Sequence, residues 1–268
     1  MMRLILANVG VHLKFYRRNR LLLLVVLILA VFSLPILTVQ MMSAGDKFRN
    51  VQIAVTFAAG MSELLGALLG LTLYSHHASG RSLKMIFTKP CPPEAWLLSA
   101  FVAGGAVLLA FHLLVLGAAL VMFVAWGLPV QWGVVLVLAH SFLQAFLWFG
   151  WMLFLTLAMP PVAAGALGLM LNASMMHMLL QRLVLDASGE SGWFSVAAQA
   201  ALKYIVMAAY ALLPETSLYT QELKALKESY RFDVGALGYI ALSGIYVLLA
   251  SALFLCGSNA ILRRRQLM

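Results

Sequence analysis

Charge is what this sequence has least of. Asp, Glu, Lys and Arg make up 10% of its 268 residues, against about 25% in ordinary soluble domains. A chain so poor in charge cannot clothe a water-facing surface, and its 63% apolar content exceeds the roughly 45–50% that a soluble domain uses. Cysteine is nearly absent as well. Cys91 and Cys256 are too few and too far apart for a disulfide framework or a zinc site. Three motifs that would announce chemistry are missing. There is no GxxxxGK[ST] phosphate loop, no HExxH zinc helix and no GxSxG nucleophile elbow, so no catalytic residue and no metal site is expected in this chain. Any ATP has to be handled by a partner.

What the sequence does have is long apolar runs. A membrane-spanning helix needs about 20 mostly apolar residues, and the chain offers them at about 21–42, 51–74, 96–126, 132–159, 162–185 and 234–256. The predicted fold class is an all-α integral membrane domain occupying residues 1–268, with six spans. The run that starts at Leu21 is too long for a signal-peptide core and follows five basic residues, so it is expected to be a retained span. Pro160 and Pro161 force the turn between spans four and five. Residues 1–20 mix Leu4, Ile5, Val9, Leu13 and Phe15 with Lys14, Arg17, Arg18 and Arg20, the pattern of a helix lying in the membrane interface.

The formal charge of +9 sits beside the ends of these runs, which makes it a topology signal and not a nucleic-acid footprint. With six spans the amino-terminal basic cluster and Arg263, Arg264 and Arg265 fall on one side, together with Arg81, Lys84 and Lys89. The positive-inside tendency makes that side cytoplasmic. Both termini are then cytoplasmic in a multi-pass protein of the inner membrane. Residues 193–213 are apolar enough to span but carry Lys203 and end at Pro214. Parity makes them re-entrant or surface-lying helices within an outer segment, 186–233. Gln221 to Arg231 alternates charge as a solvated helix face does, and is also a surface that an extracytoplasmic partner would meet.

Glu63 is the one acid inside a predicted span. Burying it costs about 3 kcal/mol or more unless it is paired or wet. Glu63, Gly66, Ala67 and Gly70 share a helix face, and small residues at that spacing let two helices approach closely. The face is therefore a candidate translocation path, or a packing surface for another span or a second copy of the chain. Asn172, Met175, Met176, His177 and Met178 invite a copper reading, but neighbouring helical residues diverge too far to converge on one ion. They are expected to pack, as are His112 and His140.

The connector after Ser75 carries a resemblance. Gly80, Arg81, Leu83, Ile86, Phe87, Thr88, Lys89, Pro90 and Trp96 fall into the pattern of the first cytoplasmic loop of the ABC type-two permeases, the six-span membrane subunits of ABC exporters. The basic amino-terminal helix, the tight turn after span four, outer helices ending in Leu-Pro and a last span closing with three arginines follow the same order. The length and simple architecture also resemble the permease subunits of nitrous-oxide-reductase maturation transporters. Two departures stand in the connector: His76 and His77 occupy the place of a usual glutamate, and Arg81 that of a threonine.

The resemblance implies that Gly80, Arg81, Leu83, Lys84, Ile86, Phe87 and Thr88 form a coupling helix seated in a separate ATPase subunit. That partner would hold the ATP and magnesium. It also implies pairing in the bilayer with a second permease copy or a paralogue. Two readings from other classes stay open beside it: an ion- or proton-coupled secondary transporter centred on Glu63, and a membrane scaffold subunit of a larger complex.

Overall fold

Away from water, an apolar run satisfies its own backbone most simply by coiling, because each helical N–H finds a carbonyl in the same segment. The structure, a computed structural model, describes residues 2–18, 47–79, 92–170, 204, 230 and 234–266. Among them every regular element is helical: α1 (Met2–Arg18), α2 (Lys47–Ser79), α3 (Pro93–Ala125), α4 (Gly133–Ala158), α5 (Pro161–Met170) and α6 (Val234–Gln266). Four of these, α2, α3, α4 and α6, are long and apolar enough to cross a membrane. The expected span 21–42, the later part of span five, the connector 80–91 and most of the outer segment lie outside the described residues.

The helices overrun the apolar runs that announced them. α2 begins at Lys47 and continues through Ser79, and α6 continues through Gln266, where the sequence suggested spans of 51–74 and 234–256. Apolar content marks the part of a helix that lipid covers, whereas the coil itself continues until a capping or breaking residue stops it. Such stops are visible at α3 and α4. Pro92 precedes α3 in an extended conformation and Pro93 takes its first turn, where the missing N–H costs nothing. Gly127, with φ +65°, follows the end of α3. Met159 is extended at the end of α4, and Pro161 opens α5, so the proline pair both ends one helix and starts the next.

α4 is the centre of the bundle. Buried residues make up 72% of its most apolar window, against 22–39% for the other three candidate spans. It packs most extensively on α2 and then on α6. The outward faces of α3 and α6, with Leu114, Val121, Val124, Leu248 and Leu253, are exposed, as a lipid-facing surface would be.

Two apolar clusters divide the bundle by height. One joins Tyr16 of α1, Leu65, Leu69 and Leu73 of α2, Trp96 to Phe111 of α3, Phe149 to Leu157 of α4 and Leu262 of α6. The other joins Val51 and Val55, Ala119 and Phe123, Val134 to Leu138, Tyr230 and Ala236. The start of α3, the end of α6 and α1 therefore share one end of the molecule. The starts of α2, α4 and α6 share the other.

Candidate functional site

Between the two apolar clusters lies a polar level. Ser62 of α2 is fully buried, and its hydroxyl donates to the Ala59 carbonyl oxygen at 2.6 Å. Its oxygen lies 2.8 Å from the Ser141 hydroxyl of α4, and Ser141 also reaches the Ala59 carbonyl at 3.2 Å. His112 of α3 completes the level. Its Nδ1 is 2.8 Å from the Leu108 carbonyl oxygen, which can only accept, so that nitrogen carries the proton. Its Nε2 faces the Ser141 hydroxyl at 3.4 Å. Three helices are thus hydrogen-bonded to one another where a hydroxyl has no water to fall back on. The Ser62–Ser141–His112 contacts join three helices, and the His112 ring also borders an apolar cleft between α3 and α4.

One residue further along α2, Glu63 points to a different side of the helix. Glu63 is half-buried and stands midway between the ends of α2. It lines a cleft of about 330 Å³ between α2, α4 and α5. Gly60, Ala67 and Leu71 contribute to the α2 wall, Trp148 and Met152 to the α4 wall, and Gly165 and Gly168 to the α5 wall. Glu63 is the one charged group among the described lining residues.

The face Glu63–Gly66–Ala67–Gly70 divides its work between two neighbours. Gly66 and Gly70 turn to α4. A methyl group on Gly66 would overlap the Ala145 carbonyl oxygen, and one on Gly70 would come within 2.5 Å of the Phe149 carbonyl oxygen. These two helices meet backbone to backbone. Glu63 and Ala67 face the cleft beside that contact. The small residues therefore pack within the chain, and the carboxylate looks into the space next to them.

A second, apolar cleft of about 300 Å³ lies between α3 and α4, with His112 as its polar wall beside Leu109, Leu116 and Phe142. His140 stacks on Tyr239 of α6, ring centres 5.7 Å apart. The residues 172–178 considered for copper lie outside the described residues. Among the described residues, no cluster of His, Cys, Asp or Glu could hold a metal ion. The described cysteine, Cys256, is free and exposed.

At the end where α1 docks, the structure brings together residues that the sequence kept apart. Leu4 and Leu13 of α1 are exposed, as apolar residues that meet lipid in an interfacial helix would be. The buried side of α1 carries His12 and Tyr16. His12 Nε2 lies 3.1 Å from the Ser99 hydroxyl, and its ring meets the Trp96 indole edge-on at 5.4 Å. Burial pushes the Tyr16 phenol above its ordinary range. Beside them, Glu94 at the start of α3 accepts from Arg263 and from Asn259 Nδ2 (3.2 Å) of α6. The spacing His12–Tyr16, one helical turn, was a usable signal for that face. The Glu94–Arg263 pair, 169 positions apart, had none.

The chain matches no protein-family model and no curated protein. Its functional reading therefore rests on its own residues and on the resemblance of its connector.

Proposed function

We propose that the chain is the membrane-spanning permease subunit of an ATP-driven ABC transporter, an exporter, coupled to separate ATPase subunits through the connector between spans two and three. The domain has six spans, an interfacial α1 and re-entrant outer helices between spans five and six. Even parity is supported by the ends of the described helices. α1, the start of α3 and the end of α6 meet at one end, which is what an even number of crossings between the termini would give.

The observation that carries the proposal is the junction flanking the connector. Whatever moves residues 80–91 pulls directly on the end of α2 and the start of α3. The start of α3 is tied to α1 through His12–Ser99 and to α6 through Glu94–Arg263. A shift delivered to the connector would therefore travel into four helices as one rigid-body displacement, the kind of two-state element that alternating access uses. In the resemblance, Ile86 and Phe87 seat the coupling helix in the ATPase.

Phe87→Asp is expected to abolish substrate-stimulated ATP hydrolysis by the assembled complex while the chain still inserts and accumulates normally. Undiminished stimulation in that variant would contradict the coupling role. A second reading, ion- or proton-coupled secondary transport, is favoured by one observation: Glu63 lines a cleft at the middle of a span. Substrate flux driven by a proton gradient through the purified chain alone would support it against the first.

A further inference from the structure

We propose that α1 binds anionic phospholipid headgroups along the side it turns away from the protein. Met2–Arg18 contains no Asp or Glu. Side chains three or four residues apart share one face of a helix, and Arg3, Ala7, Gly10, Lys14 and Arg17 keep that spacing along the whole of α1. The opposite face carries His12 and Tyr16, both 1% exposed, and His12 docks on Trp96 and Ser99 of α3.

Arg3, Lys14 and Arg17 are all exposed. Among the described residues the ion pair is Arg263–Glu94, at the end of α6, so no described carboxylate neutralises the three cations of α1. Lys14 and Arg17 stand about one turn apart, close enough for both to reach one phosphate. Between Arg3 and Lys14 the stripe is low. Ala7 is exposed, and a Cβ on Gly10 would meet nothing within 4 Å, so a headgroup can approach the helix without displacing a side chain. Arg264 is exposed as well and adds positive charge at the same end of the molecule.

The shoulders of the stripe decide what kind of anion fits. Met2, Leu6 and Leu13 are exposed on one side of it and Leu4 and Val11 on the other. A soluble acidic protein would pair with the cations and leave these apolar groups unserved. A lipid leaflet offers phosphate to the basic crest and acyl chains to both shoulders, the arrangement of an interfacial helix. The long Lys and Arg stems can lie along the apolar surface while their charged heads reach the phosphates. A zwitterionic headgroup brings its own cation, so the stripe favours a lipid of net negative charge.

This surface needs no ATPase partner, so it is tested on the purified full-length chain in neutral detergent and stands apart from the coupling experiment. Phosphatidylglycerol and phosphatidylcholine with identical acyl chains are offered in equal amounts, and the lipids retained are counted by native mass spectrometry. Phosphatidylglycerol is expected to be preferred by about tenfold or more, because each basic residue near an anionic headgroup is worth about fivefold. Arg3→Gln, Lys14→Gln and Arg17→Gln together should remove most of that preference. Leu6→Ser with Leu13→Ser should weaken retention of both lipids alike. Should the triple variant fail to fold, Lys14→Gln and Arg17→Gln taken singly should each lower the preference by about fivefold. Equal retention of the two lipids by the unsubstituted chain, or a preference that the substitutions leave intact, would overturn the proposal. So would displacement of the lipid by water-soluble glycerol phosphate at equal concentration, which would make the stripe a site for free phosphate. Variants that keep the lipid preference but lose a co-purifying acidic protein would give the stripe to a protein partner and overturn it too.

Discussion

A methyl group at Gly66 has nowhere to go, because the Ala145 carbonyl oxygen already occupies its place. Gly66→Ala must push α2 away from α4, and overpacking of this kind costs about 1–3 kcal/mol. Gly60→Ala, six residues earlier on the same helix, meets open space and should leave stability unchanged. Thermal unfolding of the two variants in one detergent checks the contrast. Tyr230 is the other residue on which much depends. It takes a left-handed conformation, φ 47°, which a tyrosine adopts only when its surroundings hold it there. Its ring is fully buried edge-on to Phe48 at 5.8 Å, and its carbonyl oxygen accepts from the Gly133 N–H that opens α4. Truncation to alanine should cost about 3–5 kcal/mol. Burial also pushes the phenol up to about 12. The folded protein then keeps a proton that the unfolded chain surrenders near pH 10, so stability falls as pH rises from about 10 to about 12. Tyr230→Phe should lessen that fall, the remainder coming from the buried Tyr16 phenol, measured by unfolding across the alkaline range.

At the scale of elements, the ends of α1, α3 and α6 form one unit. Glu94→Arg and Arg263→Glu should each lower the unfolding temperature, and combining them should restore part of the loss, because the swapped pair can re-form. Additive losses would mean that the pair contributes nothing. The spans themselves were legible in the sequence wherever an apolar run met a breaker. The Pro160–Pro161 pair, read as a forced turn, lies where α4 ends and α5 begins, whereas the Pro92–Pro93 pair at the start of α3 was a breaker that the apolar run alone did not bring out. The far ends of α2 and α6 were not legible, because Tyr74 to Ser79 and Gly257 to Gln266 are polar enough to read as connectors. Nothing in their composition says that the coil continues. The buried side of α1 was not legible for a related reason. In a membrane protein apolar residues can face lipid, so the protein-facing side is marked by groups needing partners, here His12 and Tyr16. The Glu63–Gly70 face was visible from its spacing alone, but the division of labour along it, glycines to α4 and carboxylate to the cleft, required the third dimension.

For the whole molecule, the polar level of Ser62, His112 and Ser141 between two apolar clusters is the feature that periodicity could not supply, since each residue is unremarkable on its own helix. Ser141→Ala removes a hydroxyl near three partners and should cost about 1 kcal/mol, in line with hydrogen bonds between spanning helices. The proposed even number of crossings predicts that tags on both termini are reached by protease only in inverted membrane vesicles. A tag reached from opposite sides would break the parity argument and with it the position of the connector. The central claim is that a separate ATPase sits on that connector, and affinity purification of the tagged chain in mild detergent tests it most directly. The account predicts a co-purifying soluble subunit bearing a phosphate loop, ATP hydrolysis in the eluate, and loss of that hydrolysis when Phe87 is changed to Asp. A chain that purifies alone and silent from membranes where it is abundant would contradict it.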